Sequence, residues 1–354
     1  MYEARVEWVD YAKGLCIIMV VMMHCTLDYG ANVGQEGWLH EAVQFARPFR
    51  MPDFFLLAGL FLSRSINAPL REYMDRKFLH FAYFYLLWLA IQLSMTEVGL
   101  LLSDPVAFGA LYSHSLISPI NTLWFVHMLA IFYMLTRALR RVPVWLVLLS
   151  AASLQTLFRM GMIDTGWSVA DRFFDRYIYF FVGYAAAPWI FDLAKRAARR
   201  PLLTLAALSA WAVINGLLTT VSLDQEPVIS LLLGFAGAAA IVSVGSLMSL
   251  YQWGSLIRYA GAHSIVIYLS FFLPMKVLIL VFGNYPIITD VGLASLVITA
   301  VAVLTPLLFH YWIRGTWLGF LYERPSLFRY HSNSEKIRRP QSRVAQTDPG
   351  KQDY

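Results

Sequence analysis

The sequence predicts an all-α, polytopic membrane protein with about ten transmembrane helices. Of its 354 residues, 58% are hydrophobic and only 14% are charged, and the mean hydropathy is +0.57. Soluble domains carry about 25% charged residues and lack so many long apolar runs. The 11 Trp and 19 Tyr residues suit side chains that anchor helices at membrane interfaces. The composition therefore excludes a soluble globular domain.

Apolar runs long enough to cross a bilayer recur along most of the chain. The first has no charge between Gly14 and Met23, and it lacks the small-residue cleavage site of a signal peptide, so we expect a permanent span. The fifth is the weakest, because Gln155 and Arg159 dilute its apolar pattern. The predicted spans are 10–28, 43–63, 78–101, 122–138, 143–160, 173–193, 202–221, 227–250, 261–282 and 291–313.

Basic residues are distributed unevenly between the predicted loops, which gives an expected orientation. The connections 97–121 and 222–227 contain no Lys or Arg, whereas the connections on the opposite side are basic. The positive-inside rule therefore predicts both chain ends in the cytoplasm. This asymmetry accounts for the net charge of +6 and gives no support to nucleic-acid binding. We expect residues 1–315 to form one transmembrane domain and 316–354 a polar, largely disordered cytoplasmic tail.

The first predicted helix carries three ionisable side chains, Asp10, Lys13 and His24. Lys13 and His24 are eleven residues apart, which places them on one helical face and roughly 16 Å apart along the axis. Ionisable groups at membrane depth are expensive and usually mark a transport pathway or a catalytic centre. The alternative is a lysine that reaches the membrane surface and a histidine that packs against a neighbouring helix.

Basic residues also occur at the starts of the second and sixth spans, where the charge asymmetry predicts none. Arg47, Arg50 and Asp53 open the second span, and Asp53 can pair with Arg50 because the two are three residues apart. Arg172 and Arg176 open the sixth span. We expect these side chains and the first-helix histidine to form a cationic pocket in the outer half of the bundle. For Arg172 and Arg176 alone, ordinary interfacial salt bridges are slightly favoured.

Four segments, taken in order, resemble the acyltransferase-3 family of membrane proteins. Asp10, Lys13 and His24 resemble its first-helix signature, in which a basic residue is followed after ten residues by a histidine. FRMPDFFLLAGLFL resembles its RxPxFFxxSGF pattern, LWFVHMLAIFYML its LWFLxxL segment and GAHSIVIYLS its GxxSxxIYL segment. With the ten predicted spans, the resemblance covers roughly residues 5–315.

The resemblance implies transfer of an acyl group from cytoplasmic acyl-coenzyme A to a carbohydrate hydroxyl across a bacterial inner membrane. By position, His24 matches the essential histidine of the family and Lys13 its basic partner. Asp10 matches the acid at the helix start, and Arg50 the basic residue of the second motif. Acetyl is the expected group and succinyl the alternative. Acyl-coenzyme A acts as a co-substrate, with no tightly bound cofactor, and polysaccharide-assembly proteins are further candidate partners.

Three positions depart from the family pattern. Lys13 replaces the commoner arginine, which removes bidentate phosphate recognition and leaves a point charge. Ala58 stands where serine is common. Phe271 or Phe272 stands where many members have a histidine, which argues against a catalytic role for that position in this chain.

The residues also suit acyl transfer on chemical grounds. A neutral histidine, whose ordinary pKa is near 6.5, can take the hydroxyl proton, and Asp53 is expected to orient the His24 imidazole. Arg50 or Arg47 would stabilise the developing oxyanion or bind the carboxylate of a succinyl group.

The phosphates of coenzyme A are expected at a basic cluster of Lys13, Arg71, Arg76 and Lys77, although plain positive-inside topology explains this cluster equally well. The candidates for substrate binding are Arg47, Trp124, His127, Arg172, Arg176 and Tyr268. No His, Cys or Asp spacing predicts a metal site.

Two other classes of function remain open. A transporter or flippase for a glycan or organic anion would use the same cationic cavity without consuming acyl-coenzyme A. A membrane scaffold in a polysaccharide-assembly complex would perform no chemistry, and its function would survive replacement of His24.

Overall fold

A computed structural model describes residues 6–285, 287–325 and 328, and every regular element within these ranges is helical. A π-helical turn, Asp75–Leu79, joins α4 to α5. The α-helices are α1 (Glu7–Val33), α2 (Leu39–Ala46), α3 (Arg50–Gly59), α4 (Leu70–Met74), α5 (His80–Thr96), α6 (Val98–Ser103), α7 (Pro105–Ile117), α8 (Trp124–Ala138), α9 (Val144–Arg159), α10 (Ser168–Ala185), α11 (Ala187–Arg199), α12 (Pro201–Thr220), α13 (Pro227–Tyr251), α14 (Ser255–Ala262), α15 (Ser264–Ser270), α16 (Phe272–Asn284) and α17 (Val291–Ile313).

The prediction of an all-helical, polytopic membrane protein is confirmed. In the described ranges, six helical segments are long and apolar enough to cross a bilayer, and two bent helix pairs raise the number to as many as eight. Two of the ten predicted spans fall outside this set. The span 43–63 is divided between α2 and α3, and 143–160 corresponds to the 16-residue α9. The number of ten and the orientation remain predictions.

The interruptions have local causes. Pro48 lies between α2 and α3, where a proline cannot donate the backbone hydrogen bond that would continue the first helix. The predicted sixth span bends by 75° between α10 and α11, and α11 carries Arg196 and Arg199 in its last turn. A bend of this size and a basic, amphipathic sequence are typical of a helix that lies in the membrane interface.

The central helix of the bundle is α1, which packs against α3, α13, α14 and α17. Its crossing with α14 is very close, because a Cβ atom at Gly14 would lie 2.0 Å from the Ile257 carbonyl oxygen. A Cβ atom at Gly261 would lie 1.7 Å from the Asp10 carbonyl oxygen. Two glycines therefore allow the backbones to touch, as small residues do in membrane helix pairs, and this contact fixes the end of α1 that carries Lys13.

An aromatic core holds α3, α8 and α10 together. The rings of Phe55 and Phe132 lie 5.0 Å apart, as do those of Tyr133 and Phe180. Aromatic pairs at such distances add favourable electrostatic geometry to the packing of their surfaces. The core thus provides a rigid wall beside α1.

The segment after α17 folds back onto α5. The Trp88 indole donates to the Leu321 carbonyl oxygen at 2.9 Å, and the Tyr322 hydroxyl donates to Ser270 Oγ at 2.9 Å. Burial raises the pKa of Tyr322 to about 12, so this hydroxyl is neutral at ordinary pH. Arg324 forms a buried ion pair with Asp75, with Nη2 to Oδ2 at 2.6 Å.

The folded bundle therefore extends beyond the predicted boundary at 315/316, through a C-terminal segment of residues 315–325. Sequence reasoning assigned this stretch to a polar tail, although it contains the apolar residues Trp317, Leu318, Phe320 and Leu321. The predicted disorder from residue 329 onward lies outside the described residues.

Candidate functional site

A cavity of about 240 Å³ lies beside the Lys13 end of α1. Two ammonium groups line it, Lys13 from α1 and Lys77 from the π-helical turn. Lys13 Nζ lies 5.9 Å from the centre of the Phe61 ring, and Lys77 Nζ lies 4.6 Å from that of Tyr133. Cation–π contacts of this kind hold the two charges at an otherwise mostly apolar cavity. We call it the two-lysine cavity.

The π-helical turn explains how Lys77 reaches this cavity. Such turns are rare, redirect the side chains that follow them and occur frequently at functional sites. Its first residue, Asp75, is anchored by Arg324, which donates both to the Asp75 carbonyl oxygen at 2.9 Å and to its carboxylate. The C-terminal segment therefore supports the turn that positions Lys77.

The segment from α15 to Phe271 extends from the two-lysine cavity to His24. Ser264 and Tyr268 of α15 line the cavity, and the Phe271 ring lies 5.6 Å from the His24 ring. Ser264 and Tyr268 are one helical turn apart, and Phe271 follows at the 48° bend that separates α15 from α16. Lys13 and His24, on α1, are consequently connected by a second element that contacts both regions.

His24 is half-buried, near three charged groups. Asp28, Arg50 and Lys276 are close enough to act on it electrostatically. Lys276 Nζ pairs with Asp28 Oδ2 at 2.9 Å, which joins α16 to α1 one turn beyond the histidine. The imidazole therefore occupies a polar region of mixed charge.

Arg50 is buried, with 9% of its surface exposed. Its Nη1 donates to the Val43 carbonyl oxygen at 3.4 Å, its Nε has no partner, and it forms no ion pair with any described residue. The positive charges of Arg47 and Arg176 also act unfavourably on the Arg50 guanidinium. A buried guanidinium without a counter-charge is costly, and an anionic ligand or a developing negative charge would compensate for it.

The expected pairing of Asp53 with Arg50 does not occur, and Asp53 does not orient His24. Asp53 is 1% exposed, and neither carboxylate oxygen has a hydrogen-bond partner among the described residues. Its charge acts on Cys16 and Tyr179 instead. Cys16 is eight residues before His24 on α1, a rise of roughly 12 Å, so the carboxylate is too deep to reach the imidazole.

The expected cationic ring is only partly assembled. Arg47 is neutralised by a two-bond ion pair with Asp224, at 2.7 Å for each bond. Asp175 accepts Arg159 at 2.7 Å and Arg176 at 2.8 Å. The pair of Arg176 agrees with the salt-bridge alternative, whereas Arg172, the other residue for which that alternative is favoured, forms no ion pair with a described residue. Arg50 and Arg172 are therefore the members of the ring without a counter-ion among the described residues.

A second set of polar side chains lies around the start of α8. The Arg172 guanidinium lies 4.8 Å from the centre of the Trp124 ring, and the His127 ring lies 5.1 Å from that of Tyr85. Tyr268 accepts the Phe125 amide at 3.2 Å and donates to the Thr122 carbonyl oxygen. Tyr268 thus combines a structural role, tying α15 to α8, with a place in the wall of the two-lysine cavity.

The remaining members of the predicted donor cluster do not line the two-lysine cavity. Arg76 pairs with Glu72 at 3.0 Å, and both Arg71 and Arg76 are exposed. Asp10 lines a different depression, of about 690 Å³, together with Arg258 and His263. Of the predicted basic cluster, only Lys13 and Lys77 line the cavity.

Sequence reasoning missed two residues next to His24. Phe271 was noted only as a departure from the family pattern, and it is the side chain whose ring contacts the histidine. Asp28 was not identified, although its position four residues after His24 places it on the same helical face. That spacing was the available signal.

The chain matches one known protein family over most of its length. A family model described as an acyltransferase domain, acyltransferase-3, matches residues 6–314. The chain is 24% identical over 297 residues to the Inner membrane protein YcfT of Escherichia coli (strain K12), covering 74% of this chain and 77% of the relative. No solved structure gives a significant match. Because the family model spans all of the α-helices from α1 to α17, including both lysines and His24, the chain belongs to the acyltransferase-3 family.

Proposed function

We propose that the protein transfers an acyl group from acyl-coenzyme A to a hydroxyl of a glycan, with His24 as the general base. Family membership supports a membrane acyltransferase in general. The single observation that carries the finer proposal is the two-lysine cavity, whose lining helix α15 is followed directly by Phe271, the residue that contacts His24. The two lysines suit the binding of phosphates, and His24 suits proton transfer.

Lys13 and Lys77 are the proposed contacts of the donor phosphates. Both are ammonium groups that line an otherwise mostly apolar cavity, where charge-assisted contacts to phosphate are strong. The rise from Lys13 to His24 is roughly 16 Å, comparable to the reach of a pantetheine arm. The apolar lining of the cavity suits that uncharged arm.

In the proposed reaction, His24 removes the proton of the acceptor hydroxyl as its oxygen attacks the thioester carbonyl. A new ester C–O bond forms, the C–S bond breaks, and the proton passes from His24 to the departing thiolate. The buried Arg50 supplies positive charge for the oxyanion. Acetyl is the expected acyl group. Because Arg50 has no counter-ion among the described residues, the carboxylate of a succinyl group is the alternative ligand.

The test is acyl-coenzyme A turnover by the purified protein, with acetyl and succinyl donors and a glycan acceptor. We expect His24→Ala to lower the rate by about 100-fold or more, the usual contribution of a positioned general base. Lys77→Met should instead raise KM for the donor, because it removes a phosphate contact while keeping the length of the side chain.

Matched controls are His114→Ala, an exposed histidine on α7, and Arg76→Gln, an exposed and ion-paired neighbour of Lys77. Neither should change turnover appreciably. Unchanged turnover in His24→Ala would remove this residue as the base. No thioester cleavage by the wild type, even with an acceptor present, would favour a transporter for a glycan or organic anion.

A further inference from the structure

A groove of about 770 Å³ runs between α11, α12 and α13, away from the two-lysine cavity. Its walls are alanine and leucine side chains, and Trp211 closes one end by packing against Phe45 and Phe49, with ring centroids 5.7 and 5.2 Å away. Arg199 and Arg200 line the opposite end. The groove is therefore apolar along its length and basic at its mouth.

The mouth of the groove carries positive charge that no group in the described part of the chain neutralises. Arg196 pairs with Asp192, whereas Arg199 and Arg200 form no ion pair with a described residue. The first turn of α12, which begins at Pro201, adds the positive end of a helix dipole at the same place. By the positive-inside rule, this junction faces the cytoplasm. The charge thus fits an anionic group at the inner membrane surface.

The length of the groove matches one leaflet of a bilayer. Arg200 and Trp211 are eleven residues apart, which corresponds to a rise of roughly 16 Å along α12. Half of a hydrocarbon core about 30 Å thick is about 15 Å. A hydrocarbon chain that enters beside the arginines would therefore end near Trp211.

The α12 helix is also poorly covered by the rest of the protein, which leaves the groove open to a ligand. Within an apolar stretch of 18 residues in each helix, only 17% of the residues of α12 are buried by the protein, compared with 56% of those of α13. The hydroxyls of Thr204 and Ser243, which line the groove, are already bonded to backbone carbonyl oxygens, so neither is a free donor for a soluble ligand. An apolar groove of this kind within a bilayer is occupied by a lipid chain rather than by water.

We propose that this groove binds a phospholipid with an anionic headgroup, from the leaflet on the side of the α11–α12 junction. The phosphate contacts Arg199, Arg200 and the first turn of α12, and one acyl chain lies between α12 and α13. The lipid completes the contact of α12 with the rest of the bundle. Basic pockets between membrane helices suit such headgroups because each basic group near the headgroup adds to the attraction.

The test is retention of added lipid by the purified full-length protein, measured by native mass spectrometry with phosphatidylglycerol and with phosphatidylcholine. We expect phosphatidylglycerol to be retained preferentially. The double variant Arg199→Gln/Arg200→Gln should weaken its retention roughly 30-fold, since each basic group contributes about a factor of five. The matched control is Arg140→Gln/Arg141→Gln, which removes the same charge at the end of α8.

A second variant tests the apolar part of the groove without changing the charge at its mouth. Ala236 lines the groove and is exposed, so Ala236→Trp should block the acyl chain and abolish the preference with the arginines in place. Equal retention of the two lipids by the wild type would overturn the proposal. So would an equal loss in the Arg140/Arg141 control, or unchanged binding in Ala236→Trp.

Discussion

At the scale of single residues, Asp53 and Asp175 are both buried, but they differ in whether positively charged side chains pair with them. Asp175 accepts ion pairs from Arg159 and Arg176. Asp53 has no partner for either oxygen within the described structure. A paired buried carboxylate stabilises its neighbours, whereas an unpartnered one is a cost that folding must offset. Groups of the second kind inside a membrane are usually retained for function.

The two carboxylates should therefore respond differently to loss of charge. We expect Asp53→Asn to leave the free energy of unfolding unchanged or to raise it by about 1 kcal/mol, while acyl transfer falls. Asp175→Asn, the matched control, should lower stability by about 3 kcal/mol, because two guanidinium groups lose their partner. Thermal unfolding in detergent and acyl-coenzyme A turnover measure the two effects. Full activity in a stable Asp53→Asn protein would contradict a functional role.

Residue positions along one helix were predictable, whereas pairings between helices were not. The spacing of Lys13 and His24 follows from helix geometry, and both are half-buried side chains of α1 in the structure. The pairing of Arg50 with Asp53 was allowed by their spacing, but the contacts of α3 with α1 and α10 decide where each side chain lies. The partner of Arg47, Asp224, is 177 residues away, and no local pattern indicates such a contact.

At the scale of helices, the C-terminal segment and the π-helical turn form one unit. Arg324 and Asp75 are separated by 249 residues and form an ion pair that is almost fully buried. The turn that Asp75 begins carries Lys77 to the two-lysine cavity. Hydropathy detects neither part, because the turn begins with the charged residues Asp75, Arg76 and Lys77 and the C-terminal segment is too short to span a membrane.

Breaking this ion pair should affect both stability and donor binding. We expect Arg324→Gln to lower the free energy of unfolding by about 3 kcal/mol, because it removes the buried guanidinium that donates to the Asp75 carboxylate and carbonyl oxygen. KM for acyl-coenzyme A should rise more than kcat falls, since Lys77 is displaced while His24 is not. Arg314→Gln, an exposed arginine just after α17, is the control and should change neither value. An unchanged KM in a destabilised Arg324→Gln protein would separate the C-terminal segment from donor binding.

At the scale of the whole molecule, the topology depends on whether the two interrupted spans cross the membrane. The α9 helix has 16 residues, a rise of roughly 24 Å, which is shorter than a hydrocarbon core of about 30 Å. The predicted second span is divided between α2 and α3 near Pro48. If either failed to cross, the loops that follow it would change sides, and the alternation of basic loops would be lost.

Cysteine labelling of intact cells would decide both crossings, because the two native cysteines are buried and should not react. Single cysteines would replace Glu36 and Asn67, on either side of α2 and α3, and Arg140 and Asp164, on either side of α9. All four positions are exposed. With both spans crossing and the N-terminus in the cytoplasm, a membrane-impermeant maleimide should label positions 36 and 164 from outside. Positions 67 and 140 should react only after the membrane is permeabilised.

Labelling of 140 and 164 from the same side would show that α9 does not cross. That result would place Asp175, Arg176 and the start of α10 on the opposite face from the one the basic loops predict.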